Sequence, residues 1–145
     1  MRHSFDINPE RLKKLGNIVS KIDYNPISFD FPEFFPSGDD FIYTNYVFFM
    51  VAIDYRTHSS RRFEAFVDGK FYHGSELMYR LARKAQEKTP DLFTARKLES
   101  INEEEITRIF SINNIKIGNP SERAVLLQDA ASKLIKYYDG TFGFF

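Results

Sequence analysis

The segment Arg61–Ala85 constrains the fold most, because it joins a turn signal to a helical pattern. Asp68-Gly69 is the strongest short signal for a β-hairpin, since both central residues of a type I′ turn need a positive φ. Gly74-Ser75 then ends the second strand, and Ser75 is a residue type that caps helices. We therefore predict a hairpin over about Arg61–Tyr72 that leads directly into an amphipathic helix. The apolar residues of this helix recur at helical spacing and are Leu77, Met78, Leu81, Ala82 and Ala85.

Start signals predict helices on both sides of this segment. Asn8-Pro9 supplies an N-cap and a first helical residue, and an apolar stripe extends that helix to about Ile22. Asp39-Asp40 precedes a long apolar run that is rich in strand-forming residues. A buried strand is the competing interpretation of that run, and its length favours a buried helix.

The second half of the chain is predicted to be helical as well. Thr89-Pro90 interrupts the chain before a short helix that carries Leu92, Phe93 and Ala95. Asn102 and the acids after it fit a capping box. Asn119-Pro120 begins the most regular helix, which Gly140 ends. The fold class is therefore mainly α, a helical domain with one small antiparallel hairpin.

Three stretches are predicted to lie outside these elements. Residues 23–38 contain three prolines among several phenylalanines, which indicates an ordered loop that packs aromatic rings against the domain. Ile112–Gly118 is predicted to be a connector. The apolar end, Thr141–Phe145, either docks on the core or marks one piece of a longer polypeptide.

The composition bounds the class of protein. A length of 145 residues predicts a single domain over 1–145, which we expect to be part of a longer polypeptide. Twenty basic and twenty acidic residues cancel, so no strongly basic surface for nucleic acid is evident. Without cysteine, and with three scattered histidines, the sequence predicts neither a metal site nor another cofactor. No apolar run approaches about 20 residues, so a cytoplasmic protein without membrane contact is expected.

Aromatic residues are unusually frequent, with sixteen Phe, eight Tyr and no Trp. They indicate either a core built from phenylalanine or a pocket whose rings stack on a flat ligand. Several short motifs in one order carry a family resemblance. They are Val47-Phe48, Asp54-Tyr55, Gly69-Lys70 with Tyr72 and Gly74, Asn102 with Ile109, Glu122-Arg123 with Leu127 and Leu134, and Asp139-Gly140-Thr141-Phe142.

With these motifs, the segment from about Tyr43 to Gly143 resembles the queuosine salvage proteins, the queuosine 5′-phosphate N-glycosylases. The resemblance implies the α-helical fold of that family, which is related to DNA glycosylases. It implies hydrolysis of the N-glycosidic bond of queuosine 5′-phosphate, with release of queuine for tRNA modification. Family members continue for about another domain, and the resemblance places the main catalytic carboxylate there. The alternative is a non-catalytic nucleotide-binding, RNA-binding or interaction module on the same fold.

The resemblance also points to candidate site residues. Asp54, where the family has Asn, is the candidate catalytic carboxylate, because it follows an apolar helix and precedes a polar loop; a helix-end aspartate is the alternative. Tyr55 and His58, where the family has Phe and Trp, are candidates for stacking on a base; the alternatives are a core or surface tyrosine and an ordinary loop histidine. Lys70 and Tyr72 in the hairpin are candidates for phosphate contact, or else surface and structural residues.

Two further groups are assigned structural roles. Glu122-Arg123 lie in the first turn of the last helix, where capping and a buried ion pair would hold the helix start. A basic helix face is predicted to be solvated, with contact to nucleic-acid phosphates as the alternative. Its residues are Arg80, Arg83, Lys84 and Lys88. Oligomeric state is not encoded in any of these patterns.

Overall fold

The computed structural model describes residues 8–21 and 31–141. These ranges form six α-helices and two short antiparallel strand pairs, so the prediction of a mainly α fold is confirmed. The elements in chain order are α1 (Pro9–Val19), α2 (Asp40–Ala52), β1 (Glu64–Val67), β2 (Lys70–His73), α3 (Gly74–Lys88), α4 (Ala95–Leu98), α5 (Glu103–Ile109), β3 (Ser111–Ile112), β4 (Ile115–Lys116) and α6 (Pro120–Tyr138).

The predicted hairpin is present as β1 and β2, which pair antiparallel with Val67 opposite Lys70. Asp68 has a φ of 51° and Gly69 a φ of 82°, as a type I′ turn requires. The prediction that Ser75 caps the next helix is wrong. The N-cap is His73, which makes no side-chain capping bond, and Ser75 lies inside α3, where its hydroxyl is free to bond elsewhere.

A second strand pair, β3 with β4, replaces the predicted connector at Ile112–Gly118. Asn113 and Asn114 form its turn, with φ values of 48° and 66°. Asparagine enters this left-handed region more readily than most residues, so the Asn-Asn pair was the available signal. Each strand has two residues, too few to show the alternation that predicts a strand.

The starts of α1, α2 and α5 agree with the predictions. The Asn8 side chain accepts a hydrogen bond from the Arg11 amide, and the Asp39 carboxylate accepts from two amides at the start of α2. The run after Asp39 is a helix, not a strand. Asn102 and Glu105 form the predicted capping box. Helix α1 ends at Val19, and Ile22 lies outside the described residues. Leu92 and Phe93 were predicted to lie on the short helix after Pro90, but they lie in the turn before α4, which begins at Ala95.

The core lies between α2, α3, α4, α5 and α6, with Phe63 and the first hairpin closing one side. Phenylalanine contributes much of it, and the largest buried side chains include Tyr46, Phe49, Phe63 and Phe110. From the predicted aromatic loop, Phe34 and Phe35 pack against this core; residues 23–30 lie outside the described ranges, as do residues 142–145. No helix in the described ranges combines the length and apolar character needed to cross a bilayer.

Candidate functional site

A cavity of about 640 Å³ lies where α2 ends and α3 begins. Its position brings together three of the five predicted catalytic and binding residues, because Asp54, Tyr55 and His58 are close in sequence and follow α2. Ser75 reaches the same cavity from the first turn of α3. The lining residues are Asp54, Tyr55, Arg56, Thr57, His58 and Ser75.

Asp54 presents an exposed carboxylate to this cavity. The Ser75 hydroxyl donates a hydrogen bond to Asp54 Oδ1 at 2.5 Å, a short contact typical of a charged acceptor. The N-terminus of α3 lies beside the pair and favours a negative charge there. Within the described ranges no donor bonds Oδ2, so this oxygen is free for water or a ligand. The site therefore holds one oriented carboxylate.

His58 is exposed at the same cavity. Its Nδ1 lies 3.3 Å from the Thr57 hydroxyl, and the ring tautomer decides which of the two donates. This contact orients the imidazole and leaves Nε2 for a ligand. Thr57 is itself buried, and its carbonyl accepts a hydrogen bond from the Gly118 amide at 2.9 Å.

Gly118 is essential to the path of this loop. A Cβ added to it would lie 2.5 Å from the His58 carbonyl oxygen and 3.1 Å from that of Arg56. Backbone atoms cannot yield as a flexible side chain can, so any larger residue would displace the loop. This role of Gly118 was not predicted, because nothing in the residues around it indicates a close approach to residues 56–58.

Arg123 holds the same loop from inside the protein. Its side chain is fully buried in the first turn of α6. Nε donates to the Gly118 carbonyl at 2.8 Å, and Nη2 donates to that of Arg56 at 3.1 Å. The guanidinium also donates to the carbonyls of Ile53 and Tyr55. Its partners are thus the carbonyl oxygens of Gly118 and of three residues after α2, whereas an ion pair was predicted.

Burial lowers the pKa of the Arg123 guanidinium, and the neighbouring Tyr55, Asp54 and Glu122 act in the opposite direction. An arginine remains charged in proteins even so. We conclude that a buried positive charge organises the loop that carries the site. It does so through backbone oxygens, so its effect reaches every side chain of residues 54–58.

Tyr55 is partly enclosed by these contacts. The Arg123 guanidinium carbon lies 4.5 Å from the centre of the Tyr55 ring, so one ring face is occupied. Burial raises the pKa of the Tyr55 hydroxyl, and the nearby Glu122 carboxylate raises it further while Arg123 opposes them. In the described ranges this hydroxyl oxygen is shielded from solvent, and its geometry with Glu122 is not that of a hydrogen bond. Tyr55 also contributes to the lining of the cavity.

Arg56 was not singled out from the sequence, yet it lines the cavity. Its φ is 34°, in the left-handed region that non-glycine residues avoid. Such a conformation costs about 1–3 kcal/mol and persists where surrounding contacts enforce it. Here the bond from Arg123 to the Arg56 carbonyl is one such contact.

Lys70 and Tyr72 do not line this cavity. Lys70 Nζ bonds Glu33 at 2.7 Å, which raises the Lys70 pKa, and it lies 5.2 Å from the centre of the Tyr72 ring. Tyr72 is 4% exposed and meets the Phe34 ring edge-on at 5.9 Å. The two residues therefore attach the segment around Glu33 to the hairpin.

Most of the predicted basic helix face is engaged in ion pairs. Arg80 and Lys84 both bond Asp68, at 2.6 and 2.8 Å, and these bonds lower the pKa of that carboxyl. Arg83 lies 3.7 Å from Glu87. Among the described residues Lys88 alone of the four forms no ion pair. The face is thus largely neutralised within the chain.

Over the part of the chain that the structure describes, no three histidine or carboxylate side chains converge as a metal site would require. Comparison with known proteins finds no family model that matches the chain and no curated protein that matches its sequence.

Proposed function

We propose that this chain contributes to queuosine salvage by hydrolysing the N-glycosidic bond of queuosine 5′-phosphate, which releases queuine. The observation that carries this proposal is the single cavity shared by Asp54, Tyr55 and His58. These are the residues that the sequence motifs nominated for charge stabilisation and base contact. The resemblance in residues 43–143 supplies the substrate class.

The reaction makes clear demands on such a site. As the bond between the sugar carbon and the base nitrogen breaks, its electrons leave with the base and positive charge builds on the sugar. Water adds its hydroxyl to the sugar carbon, and the base nitrogen gains a proton. Asp54 is oriented by Ser75 and stabilises the charge on the sugar. His58 and Tyr55 contact the base. In the queuosine salvage family a further carboxylate completes the reaction.

Purified protein incubated with queuosine 5′-phosphate provides the test, with released queuine measured by chromatography. We expect queuine release, and we expect Asp54→Asn to slow it roughly 100-fold or more, in the range of a lost catalytic acid or base. Binding of free queuine should change little in this variant. Asp129→Asn is the matched control, because Asp129 is an exposed aspartate on α6 whose only partner in the described ranges is Lys133.

Two results would contradict the proposal in different ways. Protein that neither binds queuine nor releases it from the nucleotide would exclude the function for this chain. An Asp54→Asn variant with full activity would remove Asp54 from the mechanism. The RNA-binding alternative needs free cations, and the ion pairs of Arg80, Arg83 and Lys84 weigh against it. Retention on single-stranded RNA that falls steeply with salt would restore that alternative.

A further inference from the structure

Arg56 combines features that an ordinary loop arginine lacks. It lines the cavity beside Asp54, and it is exposed to solvent. Its φ of 34° is unfavourable for any residue with a Cβ. Within the described ranges its guanidinium forms no ion pair with a carboxylate, and Asp54 is the only acid that lines the cavity with it. Arg56 therefore brings to the cavity lining a positive charge that no carboxylate of the described residues pairs with.

The backbone of Arg56 is held on two sides. Arg123 donates to its carbonyl oxygen at 3.1 Å, and the Cα of Gly118 approaches so closely that a Cβ there would lie 3.1 Å from the same oxygen. Glycine or asparagine would occupy this left-handed position with less strain. An arginine at this strained position is consistent with a use for its side chain, whose backbone is held in place by Arg123 and Gly118.

The chemistry of the guanidinium selects the ligand. Its planar fork matches the oxygens of a phosphate and bonds two of them at once. Lys70, the cation that the sequence suggested for this task, is 2.7 Å from Glu33 and lies outside the cavity. Arg56 is the basic residue that lines the cavity with the candidate catalytic carboxylate.

We infer that Arg56 binds the 5′-phosphate of the sugar and makes the site select phosphorylated nucleosides over free ones. This inference rests on the proposed function and deepens it. The sugar then lies between Arg56 and Asp54, with its phosphate on the guanidinium and its glycosidic carbon near the carboxylate. Arg56 is a specificity-determining residue in this arrangement, and the strain in its backbone is the cost of placing it.

Titration calorimetry with ribose 5-phosphate and with ribose tests the inference without the base. We expect the wild-type protein to bind ribose 5-phosphate more tightly than ribose. Arg56→Asn should weaken the binding of ribose 5-phosphate roughly 10- to 100-fold, which is the loss expected for hydrogen bonds to a charged group. The affinity for ribose should not change. Because asparagine tolerates positive φ, the thermal midpoint of this variant should stay level or rise. Arg56→Lys should retain part of the preference.

Arg62→Asn serves as the control, since Arg62 is an exposed cation of the same loop that does not line the cavity. Three results would overturn the inference: wild-type protein without preference for ribose 5-phosphate, an unchanged preference in Arg56→Asn, or an equal loss in Arg62→Asn. Queuine release separates the two proposals. If queuine is released but the preference for ribose 5-phosphate does not depend on Arg56, the inference alone is wrong. If the preference depends on Arg56 but no queuine is released, the proposed function alone is wrong.

Discussion

Helices α1 and α6 begin alike and reach opposite environments. Each starts at an Asn-Pro pair and carries an apolar stripe, so the sequence predicts both with similar arguments. Helix α6 packs against the core of the domain and contacts α2, α4 and α5. Helix α1 buries no residue. Its four large apolar side chains, Leu12, Leu15, Ile18 and Val19, are each about half exposed.

This difference shows that periodicity predicts a helix and its apolar face, but not what covers that face. An isolated helix of α1's length, 11 residues, is marginal in water, because nucleation is costly and packing supplies most helical stability. Helix α6 receives that stability from buried residues on one side. Substitutions at matched positions of the two helices should therefore differ widely in effect.

The largest difference in stability between matched substitutions in α6 and α1 is expected at arginine. Arg123→Met keeps apolar volume but removes the donors of four carbonyl oxygens around the site. Each buried acceptor left unsatisfied costs about 1–3 kcal/mol. We therefore expect Arg123→Met to lower the free energy of unfolding, measured with urea, by roughly 3–5 kcal/mol. The matched change Arg11→Met on exposed α1 should stay within about 0.5 kcal/mol. A loss below about 1 kcal/mol for Arg123→Met would show that the buried guanidinium is not what holds the loop.

Leucine gives the next difference. Leu127 is fully buried, so Leu127→Ala should cost about 2–5 kcal/mol through lost transfer energy and the cavity that remains. Leu15 is 55% exposed, and Leu15→Ala should change the free energy of unfolding by less than about 0.5 kcal/mol. Similar losses at both positions would break the comparison. They would mean that something covers α1 in solution, and sedimentation at several concentrations would show whether a second copy does.

Substitution of glycine by alanine should change stability least, and the change should have opposite signs at Gly118 and Gly16. Gly118→Ala should destabilise by about 1–3 kcal/mol, as overpacking does, because its Cβ would meet the His58 carbonyl. Gly16 has nothing within 4 Å of a built Cβ, so Gly16→Ala should stabilise α1 by about 0.5–1 kcal/mol. Amide exchange within α1 measures the second effect, since no residue of that helix is buried. A stabilised Gly118→Ala protein would contradict the close approach.

Local signals predicted the local structure well. Asp68-Gly69 predicted the first hairpin, and the Asn102 capping box marked the start of α5. The second hairpin escaped prediction because its strands are too short for a pattern. The assignment of Ser75 as a cap failed because its hydroxyl bonds Asp54, 21 positions earlier in the chain, and such a partner is invisible to a local rule.

In the candidate site, too, residues close in sequence were predicted correctly to lie together, and contacts between distant residues were not predicted. Asp54, Tyr55 and His58 were predicted from the resemblance, and because they are neighbours in sequence after α2, a shared cavity follows almost directly. Lys70 and Tyr72 were nominated from a motif, but the path of the hairpin directs them to Glu33 and Phe34. Arg56 stands out because of its positive φ, a backbone angle that no pattern of residues predicted.

The sequence by itself determined the helices, the first turn and the identity of the groups at the end of α2, because caps, turns and periodicity act over a few residues. Tertiary structure alone decided what those groups do. Arg123 and Gly118 lie far from the loop in sequence, yet they impose its course, since buried carbonyls need donors and close backbone contact needs glycine. Among the described residues, tertiary structure also leaves the apolar side chains of α1 about half exposed, because the burial of an apolar face depends on what the rest of the fold places against it.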